Sequence, residues 1–110
     1  MEIKMKLFTK NQLTKLRVNY LQEGDHKPVV KLFNPAGAGT WLLTEINDGV
    51  AFGLCDMGFG CPELGYVSIE EITSLRLPMG LKIERDLSFK AEKTLSQYAE
   101  DARKDGYIAA

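Results

Sequence analysis

Between Gly39 and Ile72 the chain reads GTWLLTEINDGVAFGLCDMGFGCPELGYVSIEEI, and this stretch limits the possible folds more than any other. Residues 41–46 and 50–55 are rich in β-branched, aromatic and aliphatic side chains. Asn47-Asp48-Gly49 lies between them, with Gly49 free to take a positive φ, so the two runs pair as a hairpin. On a regular pleat Trp41, Leu43 and Glu45 share one face, and Leu42, Thr44 and Ile46 share the other. Val50, Phe52 and Leu54 mark the expected core face of the partner strand. Two glycines and a proline make 57–62 a loop. Residues 64–67 return as a strand, and Ser68-Ile69-Glu70-Glu71 opens a helix with a capping box. Ile69, Ile72 and Leu75 form its expected buried stripe, and Pro78 and Gly80 end it.

The flanks supply what that sheet needs to bury one side. In residues 1–8, Ile3, Met5 and Leu7 alternate with charged residues at the two-residue period of a strand. Thr9 and Gln12 form a capping box, followed by Leu13, Leu16 and Tyr20 on one helical face, with Gly24-Asp25 as the stop. Residues 29–33 read as a strand ended by Asn34-Pro35. Leu81 and Ile83 point inward from a last strand. Thr94 and Gln97 form a third capping box. Leu95, Tyr98, Ala99 and Ala102 line one face of the final helix, which Gly106 ends. The expected architecture is α+β: one domain over 1–110, a mostly antiparallel sheet of four to five strands, and about three helices gathered on one face.

Composition narrows the function classes. At 110 residues the chain can bury a core without metal or disulfide staples. A formal net charge of -1 argues against a dedicated duplex-DNA binder and against a strongly acidic DNA mimic. No apolar run approaches the ~18 residues of a membrane span, and the first residues lack the apolar core of a secretion signal. With only Cys55 and Cys61, the expected setting is a reducing cytoplasm.

Several stretches together resemble the domain of unknown function 2958 family: Trp41-Leu42-Leu43-Thr44-Glu45, Phe52-Gly53-Leu54, Glu63-Leu64-Gly65-Tyr66-Val67-Ser68, Glu84-Arg85-Asp86, and Thr94-Leu95-Ser96-Gln97-Tyr98-Ala99 with Gly106. The likeness covers roughly residues 7–108. It implies a bacterial protein carried on plasmids, phages or integrating conjugative elements, and it brings no assigned activity. The 57–62 loop, with Cys61, is not part of the recognised pattern.

No familiar catalytic set stands out. Cys55 and Cys61 are six apart, and His26 is remote in sequence, which does not make a four-ligand zinc site. Cys55 reads as a small core residue and Cys61 as a free thiol. Pro35-Ala36-Gly37-Ala38-Gly39-Thr40 lacks the Gly-Lys-Ser/Thr ending of a phosphate loop and opens a strand, not a helix. No cofactor and no metal site is expected. Lys4, Lys6, Lys10, Lys15 and Arg17 with Arg103 and Lys104 could bind nucleic acid if they met in space. Glu45, Glu63 and Asp86 could converge on a divalent cation, the basis of an alternative reading as a metal-assisted hydrolase or nuclease. Arg85, following a buried Ile83, is expected to point inward and pair with Glu45 or Glu63. The leading expectation is a small accessory protein of a mobile element that binds a protein or nucleic-acid partner. Its candidate surface is Trp41, Glu45, Glu63, Tyr66, Arg85 and Asp86.

Overall fold

A computed structural model describes residues 7–110. The strand expected over residues 1–8 lies outside them for residues 1–6, while Leu7 and Phe8 are buried and not in a strand. The elements in chain order are α1 (Lys10–Leu21), β1 (Val30–Phe33), β2 (Thr40–Asn47), β3 (Val50–Asp56), β4 (Glu63–Ser68), α2 (Ile69–Ser74), a 3-10 turn (Pro78–Gly80), β5 (Glu84–Arg85) and α3 (Leu95–Asp105). Among the described residues the five strands make one antiparallel sheet in the order β4-β3-β2-β1-β5.

The caps follow the sequence. Thr9 Oγ1 accepts from the Gln12 amide at 3.0 Å, and Gln12 Oε1 accepts from the Thr9 amide at 3.0 Å. Ser68 Oγ accepts from the Glu71 amide at 3.2 Å, but the Glu71 side chain does not return the bond, so this is a simple cap and not the expected box. Thr94 and Gln97 close the box at α3, whose end is Gly106 in the left-handed region. Each such cap satisfies an orphan amide and contributes about 0.5–2 kcal/mol.

The helices do not gather on one face. Leu16 of α1 and Ile69 and Ile72 of α2 pack with Val30, Leu32, Trp41, Leu43, Ile46 and Ala51 on a first face. Leu95, Tyr98, Ala99 and Ala102 of α3 pack with Leu42 and Leu54 on the second. Central strands are therefore covered on both sides, which explains why β2 is an almost continuous apolar run. Val50, Phe52 and Leu54 share the second face as expected, but their burial is graded: Leu54 is fully buried, Phe52 half-buried and Val50 exposed. Leu75 and Leu81 are likewise exposed, and β5 is only two residues long.

The hairpin turn is tighter than the sequence required. Asn47 pairs with Val50, so Asp48 and Gly49 form a two-residue loop with φ of 51° and 77°, both in the left-handed region of a type I′ turn. One departure reorganises β2. Leu43 pairs with Gly53 and Glu45 with Phe52, leaving Thr44 as an extra residue in a β-bulge. Beyond the bulge the pleat is reversed. Ile46 joins Trp41 and Leu43 on the first face, and Glu45 turns to the second, contrary to the regular alternation. The bulge is held from two sides. The Thr44 hydroxyl donates to the Phe52 carbonyl at 3.3 Å, and the Thr44 carbonyl accepts from Nδ2 of Asn19 in α1 at 3.0 Å. Asn19, not Tyr20, is thus the third inward residue of α1, and it is buried because the bulge leaves a carbonyl that needs a donor.

Candidate functional site

The reversed pleat creates the main surface feature. Glu45, Phe52 and Tyr66 are cross-strand neighbours on the second face, through the pairs Glu45 with Phe52 and Phe52 with Tyr66. The Phe52 and Tyr66 rings lie 5.0 Å apart, tilted by 56°, a favourable edge-to-face-like arrangement. Tyr20 joins them from the last turn of α1. Tyr20, Glu45, Ile46, Asn47, Asp48, Val50, Phe52 and Tyr66 line a groove of about 330 Å³. None of these residues comes from α3, so among the described residues this half of the second face is left open by the helix that covers the other half. Tyr66 is 75% exposed and Tyr20 48%. Glu45 is half-buried, and its carboxylate has no hydrogen-bond or ion-pair partner among the described residues.

Of the six residues proposed as one surface, the fold brings together only Glu45 and Tyr66. Trp41 is a correction: at 4% exposed it is core, paired with Leu32 and Cys55 in the middle of the sheet. Glu63 is exposed at the start of β4, beside Cys61 and Arg103 around a separate depression of about 490 Å³. Arg85 and Asp86 belong to the opposite edge. With strands about 4.8 Å apart, β5 and β4 are separated by about 19 Å. Glu45, Glu63 and Asp86 therefore do not converge, and no group of His, Cys, Asp or Glu suited to hold a metal occurs among the described residues.

Arg85 does turn toward the first face, since it pairs with Leu32. Its Nη1 donates to the Leu7 carbonyl at 2.9 Å. The expected clamp to Glu45 or Glu63 is corrected: those residues sit two and four strands away. Asp86 instead accepts from the Ser88 amide at 2.9 Å and lies 3.4 Å from Lys31 Nζ. Arg85 also lines another depression, of about 450 Å³, with Leu7, Thr73, Lys82, Ile83, Glu84 and Leu87.

Lys4 and Lys6 lie outside the described residues, and the other basic residues do not meet. Lys10, Lys15 and Arg17 belong to α1 on the first face, and Arg103 and Lys104 to α3 on the second. Of the cysteines, Cys55 is half-buried against the first-face core, and burial pushes its thiol up to about 11. Cys61 is an exposed free thiol. His26 Nε2 bonds the Gln22 carbonyl at 2.7 Å, and its own carbonyl caps Leu95.

The sequence did not reveal Asp56, a buried carboxylate at the end of β3. It accepts from the Gly58 amide at 2.9 Å and from the Ile108 amide at 3.0 Å, tying the segment after α3 to the sheet. Its signal was the Asp-Met-Gly turn pattern, in which an aspartate caps the amide two residues on.

Fold and groove define a small α+β protein with a two-sided sheet and an open aromatic surface beside one edge strand. The chain belongs to the family described as protein of unknown function (DUF2958), whose model matches residues 5–109. Comparison with curated proteins and with solved structures returned no match. No helix among the described residues is long and apolar enough to cross a membrane.

Proposed function

We propose that this protein is a small cytoplasmic accessory protein of a mobile genetic element that acts as a binding module, engaging a protein partner through the groove of Tyr20, Glu45, Phe52 and Tyr66. The setting is what the family resemblance implies. The observation that carries the binding reading is the exposure of Tyr66, packed on Phe52 in the uncovered half of the sheet. Tyrosine at such a position offers a rigid apolar body and a polar tip, the side chain enriched where protein surfaces meet.

Charge favours protein over nucleic acid at this surface. Among the described residues the groove is lined by two carboxylates, Glu45 and Asp48, and by no lysine or arginine, whereas nucleic-acid affinity rests on cations that neutralise phosphates. The test is a photo-crosslinking amino acid placed at position 66 in host cells, with position 87 as control. Leu87 is as exposed and lies beyond the opposite edge strand. A discrete protein adduct at 66 and none at 87 is expected. No adduct at 66, the same adducts from both positions, or an adduct to nucleic acid would refute the proposal.

A further inference from the structure

The geometry points to the aromatic groove as a receptor for one organic cation, a guanidinium or ammonium side chain presented by the partner; this deepens the binding proposal and rests on it. Three ring systems, Tyr20, Phe52 and Tyr66, surround a groove that also holds Glu45. Aromatic faces attract cations through their quadrupole, and a carboxylate beside them supplies the full countercharge. Lone examples of either feature are common on surfaces. Their combination here has a further property: Glu45 is half-buried and its carboxylate is unpartnered among the described residues.

The fold supplies reasons for that state. Glu45 faces outward only because the bulge at Thr44 reverses the pleat, and Asn19 holds the bulge in place. The cross-strand neighbours it then meets, Phe52 and Tyr66, have no cation to offer. Arg17 of α1 lines the adjoining depression with Ile46 and Asp48. Glu45 has no such neighbour among the groove residues. A groove of about 330 Å³ holds the head group and stem of one long side chain, not a folded domain. A planar guanidinium suits it best, because it can stack on a ring while its N–H groups face the carboxylate.

The probe is N-acetyl-arginine amide, titrated into the full chain and followed by NMR at the Tyr20, Phe52 and Tyr66 ring signals. Saturable shifts are expected, absent with the neutral N-acetyl-citrulline amide. Glu45→Gln and Tyr66→Ala should each weaken the probe about fivefold, in line with an exposed cation–π or ion-pair contact. Glu63→Gln, which removes an equal charge outside the groove, should leave the affinity unchanged. Absence of saturable shifts, equal shifts from the citrulline analogue, or unaltered binding by Glu45→Gln would overturn the inference. The two readings separate cleanly. A protein adduct at position 66 without arginine binding keeps the partner surface and removes the cation. Arginine binding without an adduct does the reverse.

Discussion

Gly53 and Gly65 face each other across β3 and β4, yet their substitution by alanine should have opposite signs. A Cβ built on Gly53 would lie 1.9 Å from the Leu42 carbonyl oxygen, 2.8 Å from its carbon and 2.9 Å from Leu43 Cα. All three are backbone atoms of β2, so no side chain can swing aside. Ordinary contact begins at 3.4 Å, so β2 must retreat by the difference from 1.9 Å, about 1.5 Å. That displacement falls on the pairs Leu42 with Leu54 and Leu43 with Gly53, next to the bulge. Overpacking of this kind costs about 1–3 kcal/mol. Losing one or two ladder hydrogen bonds adds about 0.5–1.5 kcal/mol each. Gly53→Ala should therefore destabilise by about 2–5 kcal/mol. A Cβ on Gly65 meets nothing within 4 Å, and alanine there should stabilise by about 0.4–1 kcal/mol through the unfolded chain. Urea unfolding of both variants, followed by tryptophan fluorescence from the core residue Trp41, measures the difference. Two variants within about 0.5 kcal/mol of each other, the range of ordinary surface changes, would refute the proposed close approach of β2 to Gly53.

Asn19→Ala should cost about 1–3 kcal/mol in the same urea assay, because it leaves the buried Thr44 carbonyl without a donor; an unchanged midpoint would show that the bulge holds itself. Arg85→Leu should cost at least about 1.5–3 kcal/mol, the range for a charged donor on a carbonyl; a loss under about 0.5 kcal/mol, an ordinary surface change, would remove any structural role for the Leu7 contact. Asp25 is held below its usual value of 3.8, first by the Ser96 hydroxyl, so its contribution is present above that value and fades as pH falls through the lower folded-state value; Asp25→Asn should flatten the acid limb of stability against pH, and an identical limb would contradict the contact. Iodoacetamide should label Cys61 well before Cys55, whose raised pKa and partial burial keep it a thiol; equal rates by mass spectrometry would contradict the assignment.

The parts of the fold legible in the sequence are those whose signals are local. The face of α3, its Thr94 cap and its Gly106 stop all depend on residues within one or two turns of each other, and all stand as expected. Trp41 and Arg85 show where local reading ends. Both were placed by their own strand's alternation, which says that a side chain points to a face but not what covers that face. Trp41 is buried because α1 and α2 lie over the middle of the sheet, and Arg85 cannot reach Glu63 because β4 and β5 are the two edges. Strand order and helix placement are properties of the whole chain, so no spacing within one segment encodes them.

Glu45 shows a different kind of signal. Regular alternation places it with Trp41 and Leu43, which puts a charge on a face that must be buried. A conflict of that sort has few physical resolutions: the strand ends, the charge finds a buried partner, or an extra residue reverses the pleat. The turn fixes which one occurs. Asn47 pairs with Val50 across a two-residue loop, so Ile46 must oppose Ala51 and Glu45 must oppose Phe52. Farther along, Leu43 opposes Gly53, the only residue type there that admits the backbone of β2 so close. Thr44 absorbs the mismatch, Asn19 satisfies its carbonyl, and Ile46 replaces Glu45 in the core. The carboxylate is thereby turned outward beside Phe52 and Tyr66. The glutamate that is incompatible with an unbroken strand is thus the residue that gives the groove its charge, and the bulge that stabilises the sheet is also what builds the surface proposed to bind.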